Sequence, residues 1–350
     1  MSRFLLPRLG ALAPYTPGEQ PQTGKYIKLN TNECPYPPSA KAVAAANGEA
    51  ARLNLYSDPG ATAVGQALAN AFGVAPQNIF AGNGSDEILA FCFFGLCPTG
   101  AAFADITYGF YPVWAGLYGL PVQVVPLRAG FALAPEDYFG LGKTIFIANP
   151  NAPTGLALTR AQVESILQAN PGSLVVVDEA YVDFGAESCV PLVPKYDNLM
   201  VVGTFSKSRA LAGGRFGYAV ACEALVEDLN RIKFSFNPYN VNRVTLAAAK
   251  AALEDTEYFE SCRANIMQTR AWLQARLAAL GFESIQSLAN FVFARHPGFS
   301  GQRLYEALKE QGILVRWFNK PAIQNYLRIT IGTKAEAEAL AAARARLVGA

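Results

Sequence analysis

Short apolar runs recur along the chain, and each ends at small or polar residues. Ile79-Phe80-Ala81 runs into Gly82-Asn83-Gly84-Ser85-Asp86-Glu87, and Thr144-Ile145-Phe146-Ile147-Ala148 into Asn149-Pro150-Asn151. Leu174-Val175-Val176-Val177 runs into Asp178-Glu179, and Leu199-Met200-Val201-Val202 into Gly203-Thr204. Continuous apolar, β-branched stretches of this kind predict strands covered on both faces. Between them, segments 61–72, 85–96 and 159–169 predict helices. Strands alternating with helices imply an α/β architecture with a mainly parallel sheet. In such sheets ligands bind at the carboxyl ends of the strands, where the polar residues just named fall.

The pattern changes toward the C-terminus. Segments 240–253 and 258–280 predict helices. Short strands follow near 290–293, 313–315 and 326–330, and a closing helix begins after Thr333. This reads as a smaller α+β domain that packs with an N-terminal arm. The expected division is a large α/β domain over 41–255, with 1–40 and 256–350 forming the second unit. No internal repeat is visible.

Composition narrows the function. The 350 residues are 51% hydrophobic and 16% charged, which is globular. A formal net charge of +2 gives no reason to expect nucleic acid or an anionic membrane as partner. No apolar run is long enough to span a bilayer, and Pro7 interrupts the Phe4-Leu5-Leu6 run, so the start does not read as a signal peptide. Cys34, Cys92, Cys97, Cys189, Cys222 and Cys262 are scattered without metal-ligand spacing, which suits free thiols in the cytoplasm and no metal site. The single histidine, His296, excludes a multi-histidine metal site and argues against a histidine-based triad. Acid–base chemistry must then fall to Lys, Tyr, Asp, Glu or a cofactor.

The most informative segment is Thr204-Phe205-Ser206-Lys207-Ser208-Arg209-Ala210-Leu211-Ala212-Gly213-Gly214-Arg215. It places Lys207 at a strand's C-terminal end, beside two hydroxyls and eight residues before an arginine. Such a loop can set one amine next to an anion site made by Thr204, Ser206 and Arg215. The helix expected to open at Ser85 offers a second anion-binding element, through the free amides of Gly84, Ser85 and Asp86. Gly82-Asn83-Gly84 lacks the third glycine of a dinucleotide loop.

The Lys207 segment resembles the lysine segment of fold-type I pyridoxal-phosphate (PLP) aminotransferases. Asn149-Pro150-Asn151-Ala152-Pro153-Thr154-Gly155 is similar to the family's Asn-Pro-Thr-Gly loop, and Asp178-Glu179-Ala180-Tyr181 to its Asp-Glu-Ala-Tyr strand end. Within that superfamily, the segments Lys28–Glu33, Tyr56–Pro59, Gly84–Glu87, Thr107–Tyr111 and Gly312–Arg316 resemble histidinol-phosphate aminotransferases most. The likeness covers nearly the whole chain.

The resemblance implies specific roles. Lys207 is the Schiff-base lysine and proton carrier. Asp178 pairs with the cofactor's pyridine nitrogen, and Tyr181 donates to its phenolic oxygen. Tyr108 stacks on the ring, while Gly84, Ser85, Asp86, Thr204, Ser206 and Arg215 hold the phosphate. The family's second donor to the phenolic oxygen is an asparagine where this chain has Ala152; Asn151 is expected to replace it, with Asn149 as the fallback. Tyr56 is expected to reach a neighbouring subunit's phosphate, which requires a homodimer with a shared site. Arg328 matches the arginine that grips a substrate carboxylate, and Arg316 one assigned to the histidinol phosphate group. Asn30, Asn290 and Glu33 are further substrate candidates. The implied reaction is transamination between L-histidinol phosphate and 2-oxoglutarate, in histidine biosynthesis. An aromatic aminotransferase, a threonine-phosphate decarboxylase or a non-catalytic binder on the same fold are the alternatives.

Overall fold

The computed structural model describes residues 2–21 and 24–348. Its centre is a seven-stranded sheet in the spatial order Ile79–Gly82, Gly217–Ala221, Leu199–Thr204, Val175–Asp178, Thr144–Ala148, Ala101–Ala104, Val122–Val125. Only Gly217–Ala221 runs against the rest, pairing antiparallel on both sides. The other pairings are parallel. The strand side chains alternate between two cores. Val175 and Val177 face one cluster with Ile145, Ile147, Leu199 and Val201, and Val176 faces another with Phe146, Met200 and Val202. Each fully buried valine contributes roughly 1.5–3 kcal/mol of apolar transfer. This fixes the register in which Asp178 lies between Ala148 and Val202 at the carboxyl ends of the strands.

The helices on this sheet begin where capping chemistry permits. Thr159 and Gln162 form a reciprocal capping box at the start of Arg160–Ala169. Ser39 caps Ala40–Ala50 and Asn242 caps Arg243–Glu254. The helix expected over 240–253 therefore starts later, at its asparagine cap. Helices Ala40–Ala50 and Arg243–Glu254 pack against each other.

The second layer is a four-stranded antiparallel sheet in the order Arg316–Trp317, Tyr326–Thr330, Phe291–Arg295, Glu283–Ser284. Helices Thr256–Ala279, Gly301–Glu310 and Lys334–Val348 accompany it around a separate core that includes Phe291, Leu308, Leu327 and Leu340. Ile313–Leu314 does not join that sheet. It pairs in parallel with Ile27–Lys28, which draws Leu29–Glu33 of the N-terminal segment toward the junction of the two layers. Among the described residues no helix is long and apolar enough to cross a membrane.

Candidate active site

At the carboxyl ends of the central strands lies a cavity of about 320 Å³. Ser85, Asp86, Tyr108, Asp178, Tyr181, Thr204, Ser206, Lys207 and Arg215 all line it, with Thr31 and Glu33 from the N-terminal segment. Three strand ends, at Ala148, Asp178 and Thr204, and one helix start converge here because the parallel order places them side by side.

One wall is built to receive an anion. Helix Ser85–Gly95 opens after Gly84, whose φ of 78° is in the left-handed region. A Cβ on Gly84 would stand 2.6 Å from Arg215 Nη2, and one on Gly217 would stand 2.3 Å from the Ser85 amide nitrogen. The absence of side chains at both positions lets the helix start, Arg215 and strand Gly217–Ala221 meet closely. Arg215 has a φ of 56°, in the left-handed region that is uncommon for a non-glycine residue. Its guanidinium donates to Asp86 Oδ2 at 3.0 Å, and Tyr108 donates to Asp86 Oδ1 at 2.8 Å. The Thr204 hydroxyl donates to Ser206 Oγ at 3.0 Å.

The opposite end holds a buried carboxylate. Asp178 accepts hydrogen bonds from the Tyr111 hydroxyl at 3.0 Å and from the Ala180 amide at 3.2 Å. Burial pushes its carboxyl up to about 6; the two donors and Lys207 oppose that, and Asp86 adds to it. Lys207 reaches into the cavity with its ammonium 3.4 Å from the Thr31 carbonyl and 5.8 Å from the Tyr181 ring centre. Burial pushes the carboxyl of Glu33 up, but bonds from Lys28 and Thr31 outweigh it and leave the group below its ordinary value.

The expectation for Asn151 is corrected by the structure. Its side-chain amide donates to the Ile106 carbonyl at 2.9 Å and to Thr154 Oγ1 at 3.1 Å, on the far side of the loop. Asn149 is also turned away, closing a reciprocal pair with the Leu158 backbone. Side chains alternate along the loop: Pro150 and Ala152 face the Lys207 cavity, and Asn149 and Asn151 face a neighbouring one. A one-residue displacement therefore cannot restore the missing amide. Asn32, which sequence reasoning missed, donates to the Tyr181 hydroxyl at 2.9 Å and leaves that hydroxyl's own proton free.

Asn30 and Asn290 do not line the Lys207 cavity or the one beside it. Asn290 donates to the Asn32 carbonyl at 2.9 Å, Asn30 donates to the Glu19 carbonyl at 2.8 Å, and the Asn30 carbonyl accepts from Arg328 at 3.0 Å. They hold Asn32, the arm and Arg328 in place. Tyr56 lies outside the cavity, 79% exposed and stacked on Tyr239.

A second cavity of about 670 Å³ adjoins the first, sharing Tyr108 and Ala152. Among the described residues four cations line it, Arg8, Arg316, Lys320 and Arg328, and no carboxylate. Arg316 donates to the carbonyls of Thr16 and Pro17, and Tyr15 stacks on Phe110 at 4.2 Å, so the N-terminal arm forms one wall. Burial lowers the affinity of Arg328 for its proton. Arg8 and Lys320 were not legible in the sequence, where nothing marks either as more than a surface cation. Asn32 and Tyr111 sit inside the Lys28–Glu33 and Thr107–Tyr111 segments, which were the available signal.

A lysine, a buried carboxylate and an anion cradle, arranged around one cavity at the switch of an α/β sheet, define a cofactor-dependent group-transfer site. The family model described as "Aminotransferase class I and II" matches residues 24–343, and the chain belongs to that family. Within it, the chain is 52% identical to histidinol-phosphate aminotransferase 1 of Bordetella parapertussis, over 97% of each chain. It is also 52% identical to the histidinol-phosphate aminotransferase of Marinomonas sp., over 98% of this chain and 99% of the relative. In fold it matches the Sinorhizobium meliloti histidinol-phosphate aminotransferase, solved with pyridoxal-5'-phosphate, with a TM-score of 0.89, 24% identity and coverage of 100% of this chain and 98% of the other.

Proposed function

We propose that the chain is a PLP-dependent aminotransferase that moves an amino group between L-histidinol phosphate and 2-oxoglutarate, giving imidazole acetol phosphate and L-glutamate. The observation that carries this reading is the pair of adjoining cavities. One holds Lys207, Asp178 and an anion cradle; the other carries four cations and no carboxylate.

The residues fit the cofactor. The Gly84–Ser85 helix start, Ser206 and Arg215 suit a phosphate, and the Gly84 and Gly217 positions leave its approach clear. The buried carboxylate of Asp178 suits a protonated pyridine nitrogen, the Tyr181 hydroxyl suits the phenolic oxygen, and Tyr108 would offer its ring to the cofactor's. When bound, PLP supplies an electron-withdrawing ring that takes up the electrons released at the substrate Cα.

The chain's own groups do the rest. Lys207 is the amine in the cavity that would bond to the cofactor's aldehyde carbon. Once displaced by the substrate amine, the Lys207 amine would be the group placed to take and return the proton at the substrate Cα. The buried Asp178 carboxylate would favour a protonated pyridine nitrogen. Asn32 fixes the Tyr181 hydroxyl. Arg328 and Arg316 hold the substrate's anionic groups, with Lys320 and Arg8 adding positive charge to the same pocket. The two substrates take turns in one site, so one cluster of flexible cations must accept a phosphate and then carboxylates.

The assembly that fits this reading is a homodimer. Tyr56 lies with Leu53 and Leu55 on an exposed apolar stretch, 79%, 62% and 53% accessible, where a second copy can cover it. All six cysteines are free thiols, in keeping with a cytoplasmic enzyme.

The test is a substrate panel. The purified PLP-loaded protein is assayed with histidinol phosphate, phenylalanine and threonine phosphate, each beside 2-oxoglutarate. Fast turnover of histidinol phosphate is expected. Turnover of phenylalanine without any of histidinol phosphate would refute the substrate assignment.

A further inference from the structure

The reaction as derived gives no role to the hydroxyl of Tyr111, yet the fold encloses it completely. Tyr111 opens helix Tyr111–Tyr118 and is 0% exposed. Its ring centre lies 5.9 Å from that of Phe93, 5.8 Å from Phe103 and 5.7 Å from Phe146. Packed this way, the ring cannot swing to solvent. Among the described residues its hydroxyl has one partner, Asp178 Oδ2, at 3.0 Å.

We propose that Tyr111 is a positioning residue for Asp178: its hydroxyl fixes the carboxylate's orientation and holds it ionised against the cofactor's pyridine nitrogen. The inference rests on the cofactor reading above.

The surroundings explain why such a donor is needed. Asp178 ends a strand whose neighbours at this level, Ala148 and Val202, bring no charge. Across the cavity, Asp86 repels the carboxylate and Lys207 attracts it. Arg215 is turned to Asp86. The Tyr108 hydroxyl donates to Asp86, and the Tyr181 hydroxyl accepts from Asn32 with no bond to Asp178 among the described residues. Among the described residues the Ala180 amide and Tyr111 are the direct donors to Asp178. The Tyr111 phenol is itself held well above its usual value by burial and by Asp178, so it stays a proton donor throughout the working range. A buried carboxylate that loses one of two donors binds its proton more tightly. A protonated Asp178 cannot pair with a pyridinium nitrogen.

The experiment compares wild type with Tyr111→Phe, which removes only the oxygen. The dissociation constant of PLP is measured by absorbance from pH 5 to 8.5, and the pH profile of kcat/KM alongside it. Wild-type affinity should fall as the pH drops through about 6, where Asp178 takes up its proton. In Tyr111→Phe that fall should begin about 1–2 pH units higher. In the Asp178→Asn background, Tyr111→Phe should add no further change in pH dependence. If the Phe variant does not fold, 3-fluorotyrosine at position 111 serves instead: a stronger donor, it should move the fall to lower pH. A purely space-filling Tyr111 would change thermal stability and leave both profiles where they were. Unchanged profiles in a wild type and variant that both bind PLP would overturn this inference alone. A wild type that binds no PLP would overturn the cofactor reading and this inference with it.

Discussion

Gly217→Ala is the most demanding test of the anion cradle, because it adds one methyl and no charge. A Cβ at this position would lie 2.3 Å from the Ser85 nitrogen and 2.4 Å from the Gly84 carbonyl carbon. Both are backbone atoms at the start of a helix, so no side chain can rotate to relieve the overlap. Restoring ordinary contact means displacing the turn by about 1 Å. The amides that would hold the phosphate move with it. A hydrogen bond to a charged group is worth about 1.5–3 kcal/mol, so loss of one weakens PLP binding roughly 10- to 150-fold. The assay is titration of cofactor-free protein with PLP, and separately with pyridoxal, which lacks the phosphate. PLP should lose affinity by that factor and pyridoxal by little. Equal losses for both ligands, or a PLP dissociation constant within twofold of wild type, would refute the reasoning.

Further outcomes follow from the second cavity and the buried carboxylates. Arg328→Lys keeps the charge and loses the planar fork; KM for 2-oxoglutarate should rise about 10- to 100-fold in steady-state kinetics, with a smaller change in kcat. Arg316→Gln should raise KM for histidinol phosphate by about 10-fold or more. Asp178 and Glu179 are buried, and burial lifts their carboxyls to about 6 and about 7 in the folded chain, against about 4 when unfolded. Between those values the unfolded chain has shed protons that the folded chain keeps. Stability of the cofactor-free protein should therefore fall as pH rises from about 4 to about 7 and level off above. Melting temperatures across that range measure it, and Asp178→Asn should flatten the slope below pH 6.

The sheet was legible because its strands are buried on both faces. Val175-Val176-Val177 has no solvent side and reads as an unbroken apolar run. The polar residues at the run ends mark the cavity for the same reason. What resisted reading was side-chain direction in irregular loops. Asn151 stands next to Ala152, but direction alternates along the loop, and the Thr154 and Ile106 contacts settle which face it takes. Contacts between distant segments were equally hidden. Tyr111 and Asp178 are 67 positions apart, and Asn32 and Tyr181 are 149 apart. The packing of helix Tyr111–Tyr118, the parallel pairing of Ile27–Lys28 with Ile313–Leu314 and the bonds of Asn32 to Asn290 and Thr330 bring them together. Asn30 and Asn290 sit in recognisable segments, yet they act on their neighbours and not on the cavity.

The central claim is that the amine of Lys207 bonds to the cofactor. Treating the PLP-loaded protein with borohydride and mapping the pyridoxyl-modified peptide by mass spectrometry tests it directly. The label should fall on Lys207, and Lys207→Ala should abolish both label and amino transfer. A label on another lysine, or transamination that survives Lys207→Ala, would contradict the account.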